Sequence, residues 1–260
     1  MTLIAITLVT IGCADVLRRG ERFAGRRYPY PALLLAFLLP VILGWLVGLE
    51  YAQDWLVLYV GIATAMGWII TSQNAVRQER RHGLPLIVLL GGIAVMALYG
   101  TVSATDGSAL DRWLTGNAFT IGTGLTAGQV LLIIGALLIQ VSTGNIIVRL
   151  VLAHIGALRP PGEPQPADKL KGGRLLGPME RIFILGLGLA GQVTAAGLVI
   201  AAKGLIRFPE LQAQARADAD DPTATVRGQG IDELTEYFLI GSFVSWLVAL
   251  STLALVWLGT

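Results

Sequence analysis

GPMERIFILGLGLAGQVTAAGLVIAAKGLIRFPE, residues 177–210, is the stretch that decides the fold. It opens with a helix-start signal. Pro178 suits a first helical turn, and Glu180 places negative charge near the N-terminal end of the dipole. From Ile182 to Ala202 run 21 residues without a charge. As a single helix that is about 30 Å, one bilayer crossing. Arg181, Gln192 and Lys203 are each 11 residues apart, close to three whole turns. They would share one line of the helix, with Glu210 nearly continuing it. Another face reads Gly186, Ala190, Thr194, Gly197, Ala201, Gly204, small residues that let a neighbouring helix approach closely. Two readings follow. Either Arg181 and Lys203 snorkel to opposite interfaces while Gln192 bonds a neighbour, or the three form a polar seam that a solute or ion uses. A re-entrant hairpin over 182–208 is the alternative to one straight span.

Composition sets the class around this stretch. Of 260 residues, 54% are apolar and only 14% charged, with a mean hydropathy of +0.69. Soluble domains carry about 25% charged residues, so the chain reads as an all-α polytopic membrane protein. The single cysteine, Cys13, excludes an intramolecular disulfide and a cysteine-based metal cluster, and His82 and His154 are too scattered for a histidine site. No metal or cofactor is expected. No basic run is interleaved with aromatics, which argues against nucleic acid.

Ahead of the deciding stretch lie five apolar runs. Residues 2–17 form a short first helix whose basic residues, Arg18, Arg19, Arg22, Arg26 and Arg27, follow it rather than precede it. That order is wrong for a secretory signal and places the N-terminus outside. Gly12-Cys13 faintly resembles a lipoprotein cleavage site, but there is no basic region ahead of it and Thr10 stands where an aliphatic residue is usual. Further spans cover about 31–49, with Pro40 as a kink, about 55–72, with Trp55 as an interface anchor, and about 84–101. Residues 72–83 read as a cytoplasmic loop, and Trp113 marks a short piece lying at the outer interface. The fifth run, 121–157, is longer than one crossing needs, and its inner half holds Gln140, Ser142, Thr143, Asn145 and Arg149. Ser142, Asn145 and Arg149 share one face; Gln129, Gln140 and Thr143 share another. Interhelical hydrogen bonding with a snorkelling arginine explains them, as does the second wall of a polar pocket.

Residues 158–176 form a proline-rich cytoplasmic linker, RPPGEPQPADKLKGGR at its heart, after which 177–260 reads as a two-span unit with an outer loop at 211–235. The seventh span covers about 236–258. The inner loops hold five, three and four lysines and arginines, which supports seven spans with the N-terminus out and the C-terminus in.

The pattern Gly177-x-x-Glu180-Arg181, Gly191-Gln192, Ala201-Ala202-Lys203-Gly204, Arg207-Phe208-x-Glu210 and Glu236-Tyr237-x-Leu239-Ile240-Gly241-Ser242 resembles the C-terminal region of a family of bacterial membrane proteins known only as a domain of unknown function. The resemblance covers about 177–250, and the chain departs from it with Gly204 and Ser242 where serine and threonine are expected. It implies a bacterial cytoplasmic membrane and supplies no activity.

A retinal protein would need a lysine deep in the last helix, and 238–258 has none. A lipid-modifying enzyme would need clustered acids, yet Asp15, Glu21, Glu79, Glu163, Asp168 and Glu180 show no recurrent spacing. Two other readings carry more weight. One is translocation of a small solute, ion or lipid head group along Gln192, with Arg181 and Asn145 beside it and Arg149/Glu180 and Lys203/Glu236 as gates. The other is a non-catalytic subunit or scaffold of a larger assembly, with membrane lipids, further copies or other membrane subunits as partners.

Overall fold

Why the described residues form helices follows from the solvent that the composition implies. In lipid every backbone polar group must be satisfied within its own segment, and long apolar runs meet that condition by coiling. The computed structural model describes residues 1–20, 29–78, 80–99, 107–116, 124–158, 173–202, 205 and 229–259, all helix or connection. In chain order the helices are α1 (Thr2–Gly20), α2 (Tyr30–Val47), α3 (Ala52–Gln78), α4 (Leu84–Tyr99), α5 (Ala109–Thr115), α6 (Ala127–His154), α7 (Gly173–Leu189), α8 (Val193–Ala202) and α9 (Gln229–Gly259). Tyr30–Val47, Ala52–Gln78, Ala127–His154 and Tyr237–Gly259 are long and apolar enough to cross a membrane. Leu84–Tyr99 and Val193–Ala202 are apolar but shorter.

The chain forms two compact units, 1–143 with 254–260, and 144–253. The division falls inside α6, not at the proline-rich linker, whose residues 159–172 lie outside the described set.

In the first unit α1 is the central helix. Every residue from Thr2 to Gly12 is buried, as are Ala14, Asp15 and Arg18. It packs against α2, α3, α4 and α6. The partners of α1 rise with it along α3, from Trp68 at Asp15 to Ser72 at Arg18, and along α6, from Gly135 at Leu8 to Thr143 at Asp15. Both helices therefore run parallel to α1. Glycines allow the close approach to α6. A Cβ on Gly135 would stand 2.9 Å from the Leu8 Cβ, and one on Gly12 would stand 2.5 Å from the Leu138 Cβ. Hydroxyls on this apolar helix are satisfied by its own carbonyls, Thr7 on Leu3 at 2.9 Å and Thr10 on Ile6 at 2.7 Å.

Local signals set several helix ends. Thr126 and Gln129 form a reciprocal capping box at the start of α6, and Ser108 caps α5. Gly48, at φ 79°, ends α2 in the left-handed region while Leu49 N–H donates back to Gly44 O.

In the second unit the deciding stretch is broken. α7 stops at Leu189, and α8 begins at Val193. Gly191 takes φ +73°, Gln192 N–H donates to Leu187 O at 2.8 Å, and Gly191 N–H donates to Gly188 O at 3.1 Å. This is a glycine-terminated helix end in the middle of an apolar run. The two arms then fold back. Ile184 and Ala196 lie in one buried cluster with Ala249 of α9, packed by Leu187, Val199, Ile200 and Trp246. In a straight helix those first two residues would be about 18 Å apart. The structure thus takes the hairpin form and corrects the single straight span. Pro178 is an interior residue of α7 rather than its opening turn, because the helix already begins at Gly173.

The chain ends meet within the first unit. A Cβ on Gly259 would stand 3.5 Å from the Met1 Cβ, and Gln129 Nε2 donates to Gly259 O at 3.5 Å. Met1 and Gly259 therefore lie side by side at one end of the first unit. A smaller correction concerns residues 72–83. α3 continues to Gln78 with Ser72, Gln73 and Ala75 buried, so half of that expected loop is helix.

Candidate functional site: two buried polar centres

Each unit holds a cationic side chain removed from solvent. In the first unit Asp15 is wholly buried, and Arg18, one helical turn later on α1, is 5% exposed. Asp15 Oδ1 pairs with Arg18 Nη2. The other carboxylate oxygen accepts from Trp68 Nε1 at 3.0 Å and from Thr143 Oγ1 at 2.7 Å. Arg18 Nη1 donates to Ile69 O at 3.1 Å and Ser72 Oγ at 3.2 Å. Ser142 Oγ closes the group by donating to the Asp15 backbone carbonyl at 2.9 Å. One ion pair thereby ties α1 to α3 and α6. A buried charge persists only when paired and hydrogen-bonded, and both conditions hold here.

The winding of α6 changes where it meets Asp15. Residues Ile139–Thr143 form a π-turn, and Ile139, Gln140, Ser142 and Thr143 are buried there. Such single wide turns interrupt α-helices rarely, and often at functional positions. Gln140 directs its amide back to Ala136 O at 3.1 Å.

In the second unit Arg181 is 1% exposed. It donates to Asn145 Oδ1 at 2.6 Å and to Ser245 Oγ at 2.9 Å. Gly144 leaves room for the guanidinium, since a Cβ there would stand 2.8 Å from Nε and 2.9 Å from Cζ. The arginine therefore joins the first arm of the hairpin to α6 and α9 as a fixed internal strut.

The seven sequence-derived site residues separate on this framework. Arg181 and Asn145 come together as one hydrogen-bonded pair. Gln192 is exposed at the hairpin apex, so the expected line through Arg181, Gln192 and Lys203 is cut at the turn. Arg149 is exposed and Glu180 is half-buried. Lys203 and the side chain of Glu236 lie outside the described residues. Sequence reasoning missed the Asp15 centre. Its signal was an acid and an arginine three apart at the end of an apolar helix, but Asp15 was weighed only among scattered acids and Arg18 only within the basic run after the first span. Among the described residues no group of three or more His, Cys, Asp or Glu side chains is placed to hold a metal ion.

No protein-family model, curated protein or solved structure matches this chain.

Proposed function

We propose that the chain is a bacterial cytoplasmic-membrane protein that crosses the bilayer six times and translocates a small polar solute, ion or lipid head group at the broken α7–α8 pair. The adjacency of Met1 and Gly259 supports an even number of crossings. The arginines after α1 support an outer N-terminus, and therefore an outer C-terminus. α1, α2, α3, α4, α6 and α9 are the crossings in this reading, and α7–α8 is a re-entrant hairpin.

One observation carries the reading. The backbone leaves helical geometry at Ala190–Gln192, in the middle of a run that hydropathy treats as one span, and these residues are exposed. At membrane depth, non-helical backbone persists only where it lines water or is covered by protein. The break also sets the carbonyl end of α7 beside the amide end of α8. Discontinuous helix pairs of this kind bind charged groups near the midplane of many transporters. Gln192 supplies a polar side chain at the apex, and Arg181 with Asn145 and Ser245 anchors the first arm.

The assembly reading has its own observation. Gly186, Ala190, Thr194, Gly197 and Ala201 are all exposed, and a Cβ on Gly186 or Gly197 would meet nothing within 4 Å. A second protein laid over that surface would cover the break equally well.

The test is thiol labelling of Gln192→Cys in a Cys13→Ser background, in membranes, with a reagent that does not cross lipid. Reaction in the intact membrane supports a wet path. Protection in the membrane that is lost once detergent separates subunits supports assembly. Protection in both states means the apex faces acyl chains, and the translocation reading falls.

A further inference from the structure

The π-turn of α6 is not accounted for by the proposed pathway. A wide turn is less favourable than ordinary α-winding, so something outside the helix must hold it. The candidates are Ser142 and Thr143, consecutive residues that are both buried and both bonded to a single residue of α1. Ser142 Oγ reaches the Asp15 carbonyl at 2.9 Å, and Thr143 Oγ1 reaches its carboxylate at 2.7 Å. In an α-helix successive side chains diverge by about 100°. Wider winding narrows that angle and brings the two hydroxyls nearer to one face.

We infer that Asp15 is the pin of a register lock, holding residues 139–143 of α6 in π-winding through Thr143 and Ser142. Release returns residues 139–143 to α-winding and shifts the backbone hydrogen-bond register of that turn by one residue. The pin is itself clamped from the opposite side. Arg18 pairs with one carboxylate oxygen, and Trp68 Nε1 shares the other with Thr143. Ser72 and the Ile69 carbonyl hold Arg18 in turn. These are the polar groups bonded around the carboxylate from α1, α3 and α6. Whatever removes the carboxylate from Thr143 therefore trips the lock. A helix with two discrete registers is a two-state element of the kind that carries conformational coupling. The inference stands apart from the translocation reading, because its readout is the winding of α6 and needs no substrate.

The experiment uses the full-length protein in lipid nanodiscs. Backbone carbonyl and amide NMR shifts of labelled residues 139–143 report the hydrogen-bond pattern. In Thr143→Val with Ser142→Ala, which remove hydroxyls but little volume, the i→i+5 pattern is expected to be lost and α-helical shifts to replace it. Persistence of the π pattern would overturn the inference. Deletion of Val141 supplies the second arm. Removing one residue from a turn that holds one too many leaves both flanks in register, so this variant is expected to fold with a continuous α-helix. Deletion of Ile133, in the regular part of α6, is expected to abolish folding. If the two deletions are equally damaging, the turn is an integral part of the packing and no lock exists.

Discussion

Replacing Asp15 by asparagine leaves Arg18 charged and buried with its anionic partner gone. Removing one member of a buried pair costs about 3–5 kcal/mol, chiefly because the remaining charge is uncompensated. At about 1.4 kcal/mol per tenfold, that is a loss of roughly a hundred- to several-thousand-fold in the ratio of folded to unfolded protein. The geometry predicts an asymmetry between the partners. Arg18→Met leaves Asp15 with the charge-assisted donors Trp68 Nε1 and Thr143 Oγ1 already in place. Arg18→Met is therefore expected to be the milder single change, by about 1 kcal/mol or more. The double variant Asp15→Asn/Arg18→Met removes both charges and is expected to lie closer to wild type than Asp15→Asn alone. The assay is reversible unfolding of the purified protein in mixed micelles, followed by circular dichroism. Tryptophan fluorescence gives a second probe, because Trp68 is wholly buried at the centre. Additive effects in the double variant, or a neutral Asp15→Asn, would refute the assignment of this pair as the clamp on α1.

Three further predictions test other parts of the fold. Gly12→Ala brings a methyl to 2.5 Å from the Leu138 Cβ, so α1 and α6 must separate, and unfolding should show a loss of about 1–3 kcal/mol. Gly191→Ala forces a side chain onto φ +73° and should cost about 1–2 kcal/mol, whereas Gly186→Ala, with open space around its Cβ, should be close to neutral in the same assay. Reporter tags on the two chain ends should be reached from the same side of sealed vesicles, because Met1 and Gly259 lie together; opposite accessibility would contradict the fold.

How far the sequence could be read differs between elements. The apolar runs that became α2, α3, α6 and α9 were legible because each is long and nearly free of charge. Arg181 and Asn145 were legible as functional candidates because polar side chains inside such runs must find partners, and these two found each other. Asp15 and Arg18 were not, because a pair that satisfies itself inside the protein looks, residue by residue, like two charges outside it. Nor was the fate of Gln192, since periodicity places a residue on a line only while the helix continues.

What the sequence determined by itself was the solvent and the class, a helical protein for a lipid environment. That information is a local sum of side-chain transfer preferences and survives any arrangement in space. The tertiary structure alone decided that α1 is enclosed by its neighbours, that the deciding stretch turns back at Gly191, and that the two ends of the chain meet. A glycine in the left-handed region reverses the direction of a chain without changing the polarity of one residue, so no measure of polarity along the sequence registers it.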